Sequence, residues 1–71
     1  MEKIIQIIQN VLKNRGKSPN VEITEKTHLR NDLGFDSLDL AELTVRIEAE
    51  YDIDIFKDGI IETVGEIMSK L

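Results

Sequence analysis

Cysteine and tryptophan are absent from this chain, and histidine and proline occur once each. Without cysteine there is no disulfide framework, no thiol nucleophile and no cysteine-based zinc site, and the lone His28 cannot build a histidine-rich one. No metal site is therefore expected. Positive charge is also scarce. Nine Lys and Arg face fourteen Asp and Glu, a net charge of −5, which argues against nucleic-acid or anionic-membrane surfaces and for partners with basic patches. No apolar run reaches the roughly 18 residues that span a bilayer. The opening "MEKIIQIIQNVLKNRG" interleaves acids and amides with its isoleucines, unlike the continuous apolar core of a signal peptide. The expectation is a cytoplasmic protein with no membrane insertion. With 71 residues the chain reads as one domain, and a domain that small buries only ~60% of the surface its unfolded form exposes, so its core must be compact and helix-rich.

Ile4, Ile5, Ile8, Val11 and Leu12 recur at helical spacing until Gly16 and Pro19 stop the pattern, which predicts a first helix over about residues 3 to 14. Lys17 to Arg30 is polar and turn-forming, with Val21, Ile23 and Leu29 as the residues that would tie this long loop to the core. A second helix begins near Ser37 and runs to about Tyr51, and a short third element follows around Phe56 to Ile61, weakened by Gly59. Thr63-Val64-Gly65-Glu66 reads as a capping box ahead of a last helix whose stripe is Val64, Ile67, Met68 and Leu71. The expected fold is all-α, a small four-helix bundle of three main helices and a short third one, with a long loop between helices one and two.

Helix two carries two apolar stripes. At about 100° per residue, Leu40, Leu43, Ile47 and Tyr51 share one face, while Leu38, Ala41, Val45 and Ala49 lie nearly opposite. A small bundle cannot easily bury both. Asp39, Glu42, Arg46 and Glu50 fall on one charged flank between them, with Glu48 on the other side. Either the long loop covers the second stripe, or it is a face for a partner.

The stretch "DLGFDSLDL", Asp32 to Leu40, places a serine where helix two begins. A serine nucleophile needs a base, normally a histidine oriented by a carboxylate. His28 is the only histidine and sits in a polar loop, which argues against a hydrolase and for a non-enzyme. Ser37 and Asp36 compete for the N-cap. If Asp36 caps, with Asp39 at the third helical position, Ser37 becomes the first helical residue with its hydroxyl free. Leu33 would anchor, Gly34 would permit a left-handed backbone and Phe35 would pack beside the site. A helix amino terminus also favours an attached phosphate, so Ser37 reads as an acceptor of modification.

"DLGFDSLDLAELTVRIEAEYDIDI", Asp32 to Ile55, resembles the acyl carrier protein family, and the similarity extends more loosely to the closing "TVGEIMSKL". The element "LGFDSLD" followed by an acidic, leucine-rich helix is specific to that family. The resemblance implies that residues 1–71 are an acyl carrier domain. It also implies that Ser37 receives 4′-phosphopantetheine from coenzyme A through a separate Mg²⁺-dependent phosphopantetheinyl transferase. The arm's thiol then carries acyl chains as thioesters among the synthases and transferases of fatty acid, lipid or polyketide biosynthesis. By position, Asp36, Leu38, Asp39, Glu42, Val45, Glu48 and Ile55 would bind partners, whose docking patches should be basic, and the carrier should be a monomer.

The segment "IFKDGIIETV" departs from the family pattern. Phe56 stands where carriers of fatty acid synthesis usually have proline, Lys57 adds a positive charge, and the segment is about two residues shorter than the commonest pattern. Arg46 interrupts the acidic flank. These changes suit a dedicated carrier of a specialised pathway. The alternative is a noncatalytic helical interaction module with Ser37 as N-cap or phosphosite, and addition of the arm's mass separates the two. A calcium loop over "DIDIFKDGIIE" fails, because aligning Gly59 with the loop glycine puts Phe56 at a ligand position and Gly65 where the bidentate glutamate belongs.

Overall fold

The computed structural model describes residues 2–17, 21–57, 59 and 61–71. They form three helices, α1 (Glu2–Asn14), α2 (Ser37–Tyr51) and α3 (Val64–Met68), and the described residues include no strand, only one antiparallel bridge between His28 and Thr63. The all-α class stands.

α1 buries Ile4, Ile8, Val11 and Leu12 and ends where its sequence demands. Gly16 adopts φ +73°, its N–H donates to the Lys13 carbonyl at 3.2 Å, and the Lys17 N–H donates to the Leu12 carbonyl at 2.8 Å. These two bonds satisfy the last carbonyls of the helix and require a left-handed residue, which glycine adopts without steric cost. The proline expected to help stop the helix, Pro19, lies outside the described residues. α2 buries Leu40, Leu43 and Ile47 against α1 and the core. Two ion pairs set the helices antiparallel: Lys3 near the start of α1 with Glu50 near the end of α2, and Arg15 just past α1 with Asp39 near the start of α2.

The long loop earns its length by completing α3. A five-residue helix leaves its first amides without partners inside itself. Here the Val64 N–H donates to the Thr27 carbonyl at 3.0 Å and the Gly65 N–H to the Glu25 carbonyl at 2.8 Å. The Glu66 N–H donates to Thr63 Oγ1 at 3.2 Å. Gly65 eases this approach, since a Cβ there would crowd the Glu25 carbonyl oxygen at 3.0 Å. The capping box is thus only half as expected. Thr63 caps, but Glu66 Oε2 accepts from the Glu62 N–H at 2.8 Å instead of from its own N-cap residue.

Three further expectations need correction. The short third helix is not a helix among the described residues. Ile55 to Lys57 form a turn, and Asp58 and Ile60 lie outside the description. Asp54 opens that turn, its carboxylate accepting from the Phe56 N–H at 3.0 Å and its carbonyl from the Lys57 N–H at 3.3 Å. These bonds start a turn as an N-cap does, but Gly59, at φ +133°, leaves helical space, so no helix is propagated. Ile55, assigned to the docking surface, is instead fully buried in the core. Val21, expected to anchor the loop, is exposed, and Ile23 and Leu29 do the anchoring.

Candidate functional site

The approach to Ser37 alternates buried side chains with a left-handed glycine. Leu33 and Phe35 are buried, and Gly34 between them sits at φ +70°, reversing the chain so that both flanking side chains reach the core. The turn ahead of them is closed by the Asp32 N–H on the His28 carbonyl at 2.9 Å and the Gly34 N–H on the Arg30 carbonyl at 3.0 Å. Asp32 Oδ2 in turn accepts from the His28 N–H at 2.7 Å.

Asp36 wins the competition for the N-cap. Its Oδ1 accepts from the Asp39 N–H at 3.0 Å, and Asp39 Oδ2 accepts from the Asp36 N–H at 3.0 Å, a reciprocal capping box. The backbone N–H of Asp39 is the main reason the Asp36 carboxyl titrates below its ordinary value, with smaller help from the Leu38 N–H and the Arg15 charge. Ser37 is the first residue of α2 and is exposed. Among the described residues its hydroxyl has no hydrogen-bond partner. A cleft of about 250 Å³ opens beside it, lined by Arg30, Ser37, Leu40, Ala41, Thr44 and Phe56. The Thr44 hydroxyl donates to the Leu40 carbonyl at 2.8 Å and is already satisfied.

His28 is committed elsewhere. Its Nδ1 accepts from the Asn31 N–H at 3.3 Å and its Nε2 lies 3.7 Å from Glu62 Oε2. It is half-buried as part of the loop-to-α3 seam, and neither contact involves Ser37.

The second stripe of α2 is bare. Leu38 is 64% and Val45 66% exposed, Ala41 and Ala49 are exposed as well, and the long loop does not cover them. Val45, Glu48, Ala49 and Asp52 line a shallow groove on this face. Asp36 and Glu48 are exposed at its margins, and Glu42 is half-buried, 3.2 Å from Arg46 Nε. Asp39 does not belong to this surface. Its side chain is fully buried, 2.7 Å from Arg15 Nε and 3.6 Å from Lys17 Nζ. Its role is to hold the end of α1 against the N-cap of α2. Local pattern gave no sign of Arg15 and Lys17, or of Arg30 and Thr44 in the cleft, because each meets the site through contacts distant in sequence.

A family model described as "Phosphopantetheine attachment site" matches residues 2–69. An acyl carrier protein of Saccharopolyspora erythraea is 41% identical over 69 residues, covering 94% of this chain and 73% of that protein. One of Amoebophilus asiaticus is 36% identical, covering 100% of this chain and 91% of its own. A mitochondrial acyl carrier protein of Saccharomyces cerevisiae is 43% identical over 54 residues, 76% of this chain and 43% of that longer protein. No solved structure matches significantly. The chain belongs to the acyl carrier protein family. It is accordingly a carrier of a covalent 4′-phosphopantetheine arm that works with biosynthetic enzymes and acyl chains, and is not itself a catalyst. Among the described residues no helix is long and apolar enough to cross a membrane.

Proposed function

We propose that residues 1–71 act as one monomeric, cytoplasmic carrier domain in which Ser37 accepts the arm from coenzyme A through a phosphopantetheinyl transferase. The carrying observation is the capping box. Because Asp36 and not Ser37 caps α2, the serine hydroxyl is free at an exposed position while the backbone beneath it is held. Once attached, the arm supplies the thiol on which acyl groups ride as thioesters. The chain's own part is to present that attachment point and to offer a surface to successive enzymes of fatty acid, lipid or polyketide biosynthesis. Asp36, Leu38, Glu42, Val45 and Glu48 form the proposed surface, an apolar stripe edged by carboxylates that suits apolar pockets rimmed by basic residues. Phe56, in place of the family's usual proline, lines the cleft beside Ser37, which favours a dedicated carrier with its own cargo preference.

Two substitutions on one helix test the surface. Val45→Arg should melt like the wild type, because the side chain it replaces is already in water. It should fail to deliver its acyl group to a cognate synthase, where an arginine closed into an apolar pocket has no partner. Ile47→Ala truncates a fully buried side chain and should cost about 2–5 kcal/mol in a urea melt. Should Val45→Arg transfer at the wild-type rate, the docking face lies elsewhere.

Charge reversal probes the rim of the same surface. Glu48→Lys should leave the melt within about 0.5 kcal/mol of wild type while weakening partner association, and added salt should weaken the wild-type complex as well. Association indifferent to both changes rules out electrostatic docking.

A further inference from the structure

We propose that Arg30 holds the phosphate diester of the arm and so turns the arm across the cleft beside Ser37. This rests on Ser37 being the attachment residue. Of the three arginines in the chain, Arg15 and Arg46 are paired with carboxylates. Arg30 has no ion-pair or hydrogen-bonding partner for its guanidinium among the described residues, although the protein carries a net charge of −5. Its backbone is fixed. The Arg30 carbonyl accepts from the Gly34 N–H, and neighbouring Leu29 is fully buried. Arg30 lines one small cleft together with Ser37.

The electrostatics of the site give this arginine a task. A phosphate on Ser37 Oγ stands next to the Asp36 carboxylate, which the capping box keeps ionised, and like charges at such separation repel. Arg30 supplies the opposite charge on the cleft side. Its planar fork of donors matches two phosphate oxygens at once. The diester is thereby drawn away from Asp36 and toward Leu40, Ala41, Thr44 and Phe56, whose mostly apolar lining suits the chain that follows.

The test compares unmodified and arm-bearing protein, each as wild type and Arg30→Gln, at low salt, with attachment at Ser37 first verified by mass. In the wild type, attachment should move the Arg30 Nε–H resonance and raise the melting midpoint by about 2–6 °C. Arg30→Gln should remove that rise and shift the ³¹P resonance of the diester. Arg30→Lys should restore part of the rise, since the charge remains and the fork is lost. A ³¹P resonance and melting increment unchanged by Arg30→Gln overturn the proposal while leaving Ser37 as the attachment residue. An unmodified Ser37 overturns both readings. Arms loaded with acetyl and with succinyl groups separate the two possible anions: an Arg30 effect seen only with succinyl assigns the arginine to a cargo carboxylate and sinks the phosphate assignment.

Discussion

Ser37→Ala is expected to abolish uptake of 4′-phosphopantetheine while leaving the fold intact. With coenzyme A, Mg²⁺ and a broad-specificity phosphopantetheinyl transferase, the wild type should gain the mass of one arm and the variant none. The fold survives because the serine hydroxyl makes no hydrogen bond among the described residues, the cap is supplied by Asp36, and alanine is the best helix former at the position vacated. A urea melt should place the two proteins within about 0.5 kcal/mol of each other. Asp36→Ala should do the reverse, losing stability with its serine still present. Its contribution depends on pH in a defined direction. The folded protein holds the Asp36 carboxyl below the ordinary value of 3.8, so the stabilisation is complete above that value and is lost as pH falls below it through the lowered native one. Arm mass found on Ser37→Ala, attached at Ser69 for instance, overturns the assignment of the site.

Arg15→Met combined with Lys17→Met is expected to destabilise the protein by about 3–5 kcal/mol, because it strands the fully buried Asp39 carboxylate without a cation. Much of the stability a small domain can hold would go. Arg15→Met alone should cost less, since Lys17 remains 3.6 Å from the carboxylate and water can reach the edge of the pair. The diagnostic variant adds Asp39→Asn to the double substitution. An amide oxygen can still accept from the Asp36 N–H but carries no charge, so part of the loss should be recovered. Urea midpoints measured at low and high salt check the set, with a modest salt dependence expected because Asp39 is buried while Arg15 and Lys17 are partly exposed. A double variant that melts within about 1 kcal/mol of wild type would show that the pair carries little weight.

Much of the fold was legible in sequence because its signals are local. The ends of α1 and α2 follow from apolar periodicity, from glycine at a helix terminus and from two aspartates spaced to cap one another, all within a few residues. The same spacing offers Asp36 and Ser37 as rival caps, and the reciprocal bonds between Asp36 and Asp39 decide for Asp36. What escaped depends on contacts across the chain. A helical wheel assigns Asp39 an angle but no depth, and depth here is set by Arg15, far away in sequence. Ile55 reads as surface by resemblance, yet it is fully buried at the turn that Asp54 opens. The cleft was equally invisible, because a turn brings Arg30 beside a helix whose own pattern says nothing of it. The bareness of the second stripe was a choice between two readings until the path of the loop was known.

The seam between the loop and α3 bears on the order in which the chain assembles. Two of the first three amides of this short helix are satisfied by carbonyls from Glu25 and Thr27, so the segment has little reason to be helical before that distant loop is in place. Helices this short are unfavourable alone, and pairing across a long stretch of chain comes late in folding. α1 and α2, with local signals and ion pairs at both ends, are suited to assemble first. The loop then acts as a template on which the final helix is completed. The same seam makes unravelling a joint event: release of α3 also frees Leu29 from Glu62, loosening the turn that leads into Ser37.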